Sequence, residues 1–259
     1  MNQISFTTRE GYDKYSWMEE ANRHFRSAKM LRHIRRRRRA GFNRAPESRK
    51  LEYVLSMEAA VHSSTLLVAY AIELVLKSGL TRAYVGCSKE LFAREVKSRF
   101  GHDLRRIARE IEYPLCASSN KQLSDLKKVI LSEGRYPFFS DTSEQDIRKR
   151  NERARRFWDD GQFDGLLSLY QSLRKHVVSL DGDSNNPTSI YDVQIDSDGY
   201  FAFRCGGNLS PRIVVKYSSN QRKRRLNNKR ALKRLITKPS ANPLVRHFWD
   251  TAKYRCVKS

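Results

Sequence analysis

Cysteine is scarce in this chain and shows no pattern. The four cysteines lie far apart, at Cys87, Cys116, Cys205 and Cys256, and form no C-x-x-C pair. Zinc sites and disulfide frameworks require cysteines at short, regular spacings. The sequence therefore predicts no metal site and no disulfide, and it indicates a reducing, cytoplasmic compartment. The chain also lacks the Walker, G-x-G-x-x-G and G-x-S-x-G motifs, so we expect no cofactor.

No targeting segment and no membrane span are predicted. Residues 1–17 are polar and contain no apolar stretch before a small-residue cleavage site. The longest apolar run, residues 62–80, is short for a membrane span and has polar residues close on both sides. It predicts instead a helix at the centre of a protein core, with Glu73 and Lys77 paired on one face because they are four residues apart.

Acidic residues are too few to balance the basic ones. The chain has 28 Asp and Glu against 51 Lys and Arg, which gives a formal net charge of +23 and a pI near 10.2. Self-repulsion on this scale costs stability unless a polyanion is bound, so nucleic acid is the leading predicted partner. An anionic membrane surface fits less well, because the basic segments lack the continuous apolar face of a membrane-surface helix.

Apolar residues at three- and four-residue steps predict a largely helical fold. A first helix begins at Ser16, with a capping box completed by Glu19, and leads into five arginines at residues 35–39. We expect these arginines to be exposed, because a continuous run projects charge in all directions. A second helix covers residues 51–77 and is expected to stop at Gly79. The inward stripe of the first helix is predicted to comprise Trp17, Ala21, Phe25, Ala28, Leu31 and Ile34. Further helical segments are predicted at residues 90–100, 104–112, 120–131 and 144–180.

The composition changes at D-G-D-S-N-N-P, residues 181–187. Beyond it, an antiparallel sheet of three strands is predicted at residues 190–195, 200–205 and 212–217. The aromatic pair at residues 248–249 is expected to dock onto this sheet. Residues 222–238 hold nine Lys and Arg without an acid and predict one basic helix. The predicted fold is mainly α, with a helical bundle over residues 1–182, followed over residues 183–259 by a small C-terminal antiparallel β-sheet and a basic helix.

Three short segments of the helical region resemble the HEPN family. They are A-Y-A-I-E-L-V-L-K at residues 69–77, F-G-H-D-L at residues 100–104 and R-Y-P-F at residues 135–138. The R-S-A-K-M-L segment at residues 26–31 is similar to the family's first helix, and the resemblance covers roughly residues 15–180. It implies a helical bundle that often dimerises and that is common in prokaryotic toxin–antitoxin and antiviral defence systems. Active members of the family cleave RNA without a metal.

The family's catalytic motif is an Arg, usually followed by a polar residue, with a His after four to six residues. In active members the His acts on the 2′-hydroxyl or the leaving group while the Arg holds the phosphate. Arg150 and Asn151 begin like this motif, but no His follows. Its only match is Arg26 to His33, which a chain this rich in arginine produces by chance. His102 is interpreted as a structural cap on a turn. The catalytic residues therefore stay unassigned, with Arg26, His33 and His102 as the candidates.

The basic runs are predicted to contact the phosphates of a nucleic acid, RNA in particular. The predicted contacts are Arg35, Arg36, Arg37, Arg38, Arg39, Arg148, Arg150, Arg153, Arg222, Lys223, Arg224, Arg225, Lys229, Arg230, Lys233 and Arg234. No set of side chains that would read bases can be identified, so we expect weak sequence preference. Three functions stay open: an RNA-binding protein, a metal-independent endoribonuclease toxin whose Arg and His come from different helices or from two chains of a homodimer, and a subunit of a larger ribonucleoprotein.

Overall fold

The computed structural model describes residues 14–87, 89–133, 144–236 and 242–257, without the side chains of residues 90, 91, 95, 132, 133, 144–147, 149, 150 and 153. The R-Y-P-F segment of the HEPN resemblance lies outside these residues. The helices are α1 (Lys14–Phe42), α2 (Glu47–Ala83), α3 (Lys89–Glu95), α4 (Leu104–Glu110), α5 (Ala117–Lys128), α6 (Glu144–Trp158), α7 (Asp160–Ser179), α8 (Ser219–Lys223), α9 (Lys229–Ile236) and α10 (Pro243–Phe248). The strands are β1 (Ser189–Ile195), β2 (Gly199–Cys205), β3 (Arg212–Lys216) and β4 (Lys253–Cys256). The mainly α fold with a C-terminal sheet is thus confirmed. Short π-helical turns, Val96–Phe100 and Val129–Glu133, continue α3 and α5.

The α1–α2 hairpin is the base of the helical bundle. Small inward residues of α1, Ala21 and Ala28, are completely buried, which lets the two helices approach closely. Phe25 stacks on Tyr170 of α7 with ring centroids 4.1 Å apart, so α7 packs against the same hairpin. The helix includes Lys14, so Ser16 lies within it and the predicted capping box is wrong.

The central helix is α2, and it is longer than predicted. Val68, Ile72, and Leu76 are completely shielded from solvent. The helix continues past Gly79 to Ala83, so the predicted stop at this glycine is wrong. A Cβ at position 79 would lie 2.8 Å from Ile111 Cδ1, so the glycine allows α4 and its following turn to pack against α2. Among the described helices, α2 alone is long and apolar enough to cross a membrane, but most of its apolar stretch is buried inside the protein, as in the core helix of a soluble protein.

The C-terminal sheet has four strands in the order β1-β2-β3-β4. The three predicted strands pair antiparallel as expected, whereas β4 was not predicted and pairs parallel with β3, so the sheet is mixed. Phe201 and Ile213 face a second core with α9 and α10, while Val214 packs into the core of the helical bundle. Trp249 is 1% exposed and stacks on Phe201 with centroids 6.2 Å apart, which confirms the predicted docking of this aromatic residue.

Ion pairs and hydrogen bonds join the sheet to the bundle. Arg212 of β3 donates to Glu110 Oε1 at 2.8 Å and lies 3.3 Å from Glu112 Oε1. Arg204 of β2 is 2% exposed and donates to the carbonyl oxygen of Leu180 at 2.6 Å. Burial, followed by the charge of Arg212, lowers the pKa of Arg204 to about 10. The sheet therefore shares both core and polar contacts with the helices, and the division at residue 182 stays a prediction.

The single basic helix predicted over residues 222–238 is wrong. The segment forms α8 and α9, which are separated at residues 224–228. Arg225 adopts a left-handed backbone with φ +55°, which interrupts a right-handed helix. Asn228 then begins α9, because its side chain accepts a hydrogen bond from the backbone N–H of Ala231. Lys238 lies outside the described residues.

Candidate nucleic-acid interface

Two arginines near the end of α1 are buried, contrary to the expectation for the arginine run. The inward positions of α1 pass from Ala28 to Arg32 and Arg35 in steps of four and three residues, and these two side chains are 2% and 1% exposed. Arg35 Nη1 donates to Asp160 Oδ2 at 2.5 Å, and Arg32 Nη2 donates to the carbonyl oxygen of Phe157 at 2.6 Å. The predicted exposure of Arg35 is therefore wrong, because its helical register turns it into the bundle.

A single carboxylate serves both buried arginines. Arg32 Nε lies 3.2 Å from Asp160 Oδ1, and Arg35 contacts the other oxygen. Burial alone would raise the pKa of Asp160, but the hydrogen bond and charge of Arg35, together with Arg32 and Arg36, lower it below its ordinary value. The guanidinium groups also lie over aromatic rings, Arg32 4.4 Å from the centroid of Phe163 and Arg35 close to a tryptophan of α6. Two cations against one carboxylate leave this region of the bundle positively charged.

The rest of the run, Arg36, Arg37, Arg38 and Arg39, is called here the α1 arginine segment; Arg38 is half-buried and the other three are exposed. Arg36 Nη2 lies 3.4 Å from Asp164 Oδ2, and Arg38 lies 3.9 Å from Glu52 and stacks over Tyr53. Arg37 and Arg39 are exposed and form no ion pair with any acid in the described part of the chain. Half of the segment is therefore uncompensated by the acids that the structure describes.

Residues 222–234 are called here the C-terminal basic segment. Arg222 lies 3.6 Å from Asp198, and Lys233 lies 3.0 Å from Asp250. Lys229 lies over the ring of Tyr254. The exposed members that form no ion pair with any acid that the structure describes are Lys223, Arg224, Arg225, Arg230 and Arg234.

The remaining predicted contacts lie on α6. Arg148 is exposed and has no described acid as an ion-pair partner. The side chains of Arg150 and Arg153 lie outside the described residues. Arg155, about two turns beyond Arg148, was not among the predicted contacts, although it is exposed and also without a described acid partner.

A cleft of about 760 Å³ opens where α1, α2 and α6 meet. We call it the α1–α6 cleft; its lining comprises Arg35, Arg39, Phe42, Asn43, Met57, Arg155, Trp158 and Asp159. Three of these side chains are arginines and three are apolar or aromatic, a combination suited to an anion that carries a flat apolar group. The sequence offered one signal for it, namely a tryptophan within the basic stretch of α6, but the partners from α1 and α2 lie about a hundred residues away in the chain.

The catalytic candidates are not brought together. His102 Nδ1 lies 2.8 Å from Glu73 Oε1, which Lys77 Nζ also contacts at 2.6 Å, so the predicted pair of Glu73 and Lys77 is confirmed. The N-cap of α4 is Asp103 rather than His102, because the Asp103 side chain accepts the backbone N–H of the third helical residue at 3.1 Å. His102 instead contacts a buried carboxylate of the central helix and is itself half-buried.

The other two candidates lie on the surface of α1. Arg26 and His33 are both exposed, and they are seven positions apart, which is about 10 Å along the helix axis. Glu73 is level with the N-terminal half of α1, since the neighbouring Lys77 lies over the ring of Trp17, whereas His33 lies in the C-terminal half. The described geometry therefore supports no joint site of His33 and His102.

Comparison of the chain with protein-family models, with curated proteins and with solved structures finds no significant match. The HEPN resemblance therefore depends on the short segments alone. Among the described residues, no group of three or more His, Cys, Asp or Glu side chains is placed to hold a metal ion.

Proposed function

We propose that this protein binds nucleic acid, RNA in particular, through the α1 arginine segment and the C-terminal basic segment. The observation that carries the proposal is the set of exposed arginines and lysines that no described acid neutralises. A folded protein that keeps so many unpaired cations on its surface gains stability from a polyanionic partner. Phosphates are the natural partner because guanidinium groups bind them with paired hydrogen bonds.

Salt dependence is the primary test of this proposal. If about six to ten side chains each neutralise one phosphate, affinity for RNA falls by about 10³ to 10⁵ between 50 and 200 mM salt. Fluorescence anisotropy or filter binding with a labelled RNA measures this slope. A nearly flat salt dependence is incompatible with the proposal.

Matched variants within the C-terminal basic segment sharpen the test. Arg224→Gln with Arg230→Gln removes two cations that lack a described acid partner, whereas Arg222→Gln with Lys233→Gln removes two that have one. On a single strand each lost phosphate contact lowers the salt slope by about 0.7, so the first variant should lose about 1.4 and the second less. Equal losses in both variants would show that pairing with an acid does not decide which side chains contact a phosphate.

An endoribonuclease is the second candidate, and the contact between Glu73 and His102 favours it. A buried carboxylate that accepts a hydrogen bond from Nδ1–H holds the imidazole in one tautomer and leaves Nε2 as the proton acceptor, which is the state that a general base for a 2′-hydroxyl requires. Incubation with tRNA in EDTA tests this directly. Cleavage that His102→Ala abolishes and His33→Ala leaves intact would support the enzyme, and intact tRNA with tight binding would exclude it.

The biological setting follows from the resemblance. We propose a cytoplasmic protein of a prokaryotic defence or toxin–antitoxin type system, acting as a homodimer or as a subunit of a ribonucleoprotein. Light scattering after size exclusion gives the mass of the particle, and the ratio of absorbance at 260 and 280 nm shows whether nucleic acid co-purifies. Sequencing the co-purified strand then identifies the partner.

A further inference from the structure

We propose that the α1–α6 cleft holds one nucleotide of a bound single strand, with its base turned out of the stack; this inference rests on the proposed function. General phosphate contacts need only exposed cations. The cleft adds a concave space, a fixed cation and aromatic walls, which together suit one nucleotide rather than a continuous backbone.

Arg35 supplies a guanidinium that is fixed in place. Arg35 is 1% exposed, and Asp160 and the carbonyl oxygen of Trp158 hold it at 2.5 Å and 3.2 Å. Its Nε is buried and has no hydrogen-bond partner among the described residues. Arg35 therefore lines the cleft as a fixed, already paired guanidinium, and the direct phosphate contacts are assigned to the two exposed arginines of the cleft.

Two exposed cations complete the anion site. Arg39 from α1 and Arg155 from α6 both line the cleft, and both are exposed without a described acid partner. One acid, Asp159, also lines the cleft, and its carboxylate accepts the backbone N–H of Gln162 as the N-cap of α7. Because Asp160 already pairs with Arg35, the charge of the cleft comes from Arg39 and Arg155 against this one carboxylate, which leaves it positive, as a phosphate requires.

The apolar walls identify the rest of the ligand. Phe42, Met57 and Trp158 come from three different helices, and Phe42 and Trp158 are half-buried, so part of each ring stays accessible. Aromatic faces bind unstacked bases of any sequence, and single-stranded segments are where RNA exposes them. Asn43 adds an amide that can pair with a base edge. The volume of about 760 Å³ lies within the range of small-ligand sites and accommodates one nucleotide.

The test compares a single-stranded RNA with a blunt duplex of the same length and uses two matched pairs of variants. Arg39→Gln and Arg155→Gln change the cleft, and Arg37→Gln and Arg148→Gln are their controls, since each is an exposed arginine of the same helix without a described acid partner. We expect each cleft variant to weaken single-strand binding about tenfold more than its control, while duplex binding falls equally in both. Equal losses on the single strand would overturn the inference.

Photocrosslinking locates the base independently of affinity. A single strand that carries 5-bromouridine crosslinks to aromatic side chains in contact with the base, and mass spectrometry identifies the peptide. Crosslinks to the peptides that contain Phe42 or Trp158 support the inference, and crosslinks confined to the C-terminal basic segment overturn it. If the RNA binds with the expected salt slope but the cleft variants match their controls, the inference alone fails; if no RNA binds, the proposed function fails.

Discussion

Replacing Asp160 by Asn removes a negative charge from the contact with Arg32 and Arg35 while it keeps the size of the side chain. Both arginines are almost completely buried, and in the described part of the chain Asp160 is the only carboxylate that forms an ion pair with either of them. Removing one partner of a buried ion pair costs about 3 to 5 kcal/mol. The Asp160 side chain is 33% exposed, which screens part of this energy, so we expect a loss of about 2 to 3 kcal/mol.

Urea unfolding at pH 7 measures this loss, and Asp164→Asn is the matched control. Asp164 is 58% exposed and lies 3.4 Å from Arg36 on the same face, so its substitution should cost less than about 1 kcal/mol. An equal effect of the two substitutions would refute the reasoning that Asp160 holds two buried cations.

The pH dependence gives a second check on the same contact. The pKa of Asp160 is lower in the folded protein than its unfolded value near 4, so its contribution to stability is complete above that value and is lost as the pH falls through the folded pKa. The difference in unfolding free energy between the wild type and Asp160→Asn should therefore shrink as the pH falls below about 4. A difference that stays constant in acid would show that the loss comes from packing rather than charge.

The remaining predictions concern packing and thiol chemistry. Gly79→Val forces a side chain into Ile111 and should lower the unfolding free energy by about 3 kcal/mol, measured by urea unfolding. Trp249→Ala removes the ring that covers Phe201 and should cost about 3 to 5 kcal/mol in the same assay. Hydrogen bonds from two neighbouring serines lower the pKa of Cys116 to about 6, so its alkylation by iodoacetamide should reach half its maximal rate near pH 6, as followed by peptide mass spectrometry.

Each of these predictions has a contradicting outcome. A Gly79→Val protein as stable as the wild type would mean that α2 and α4 do not approach as described. Retained stability in Trp249→Ala would place this ring outside the second core. A midpoint of Cys116 alkylation above pH 8 would show that the serine hydrogen bonds do not lower the pKa of this thiol. The buried Cys205, whose pKa is raised by burial, serves as the slow internal control.

Hydrophobic periodicity was enough to predict the helical bundle and the first three strands, because both are built on regular burial patterns. The strand β4 was not predictable, since K-Y-R-C is only four residues long and shows no clear alternation. The break in the basic helix had a signal in the two consecutive asparagines at residues 227–228. Their capping preference competes with helix continuation, and here it prevails.

The positive charge of the candidate nucleic-acid interface was predictable from the sequence, but its geometry was not. The predicted inward stripe of α1 included Leu31 and Ile34, whereas the structure turns Arg32 and Arg35 inward and leaves Ile34 41% exposed. Large apolar residues lie on both sides of the buried alanines of α1. The sequence pattern therefore does not show whether Leu31 and Ile34 or Arg32 and Arg35 face inward. The compensating carboxylate, Asp160, is 125 residues from Arg35, and only the tertiary fold brings it there.

The interruption between α8 and α9 restricts the kind of duplex contact that the C-terminal region can make. A recognition helix that enters the major groove of B-form DNA needs several uninterrupted turns with base-reading side chains on its free face. Here α8 has five residues and α9 eight, and Leu232 and Ile236 of α9 are buried against the sheet. Such an interrupted and partly buried set of cations is better matched to the irregular backbone of a folded transcript than to the groove of an operator.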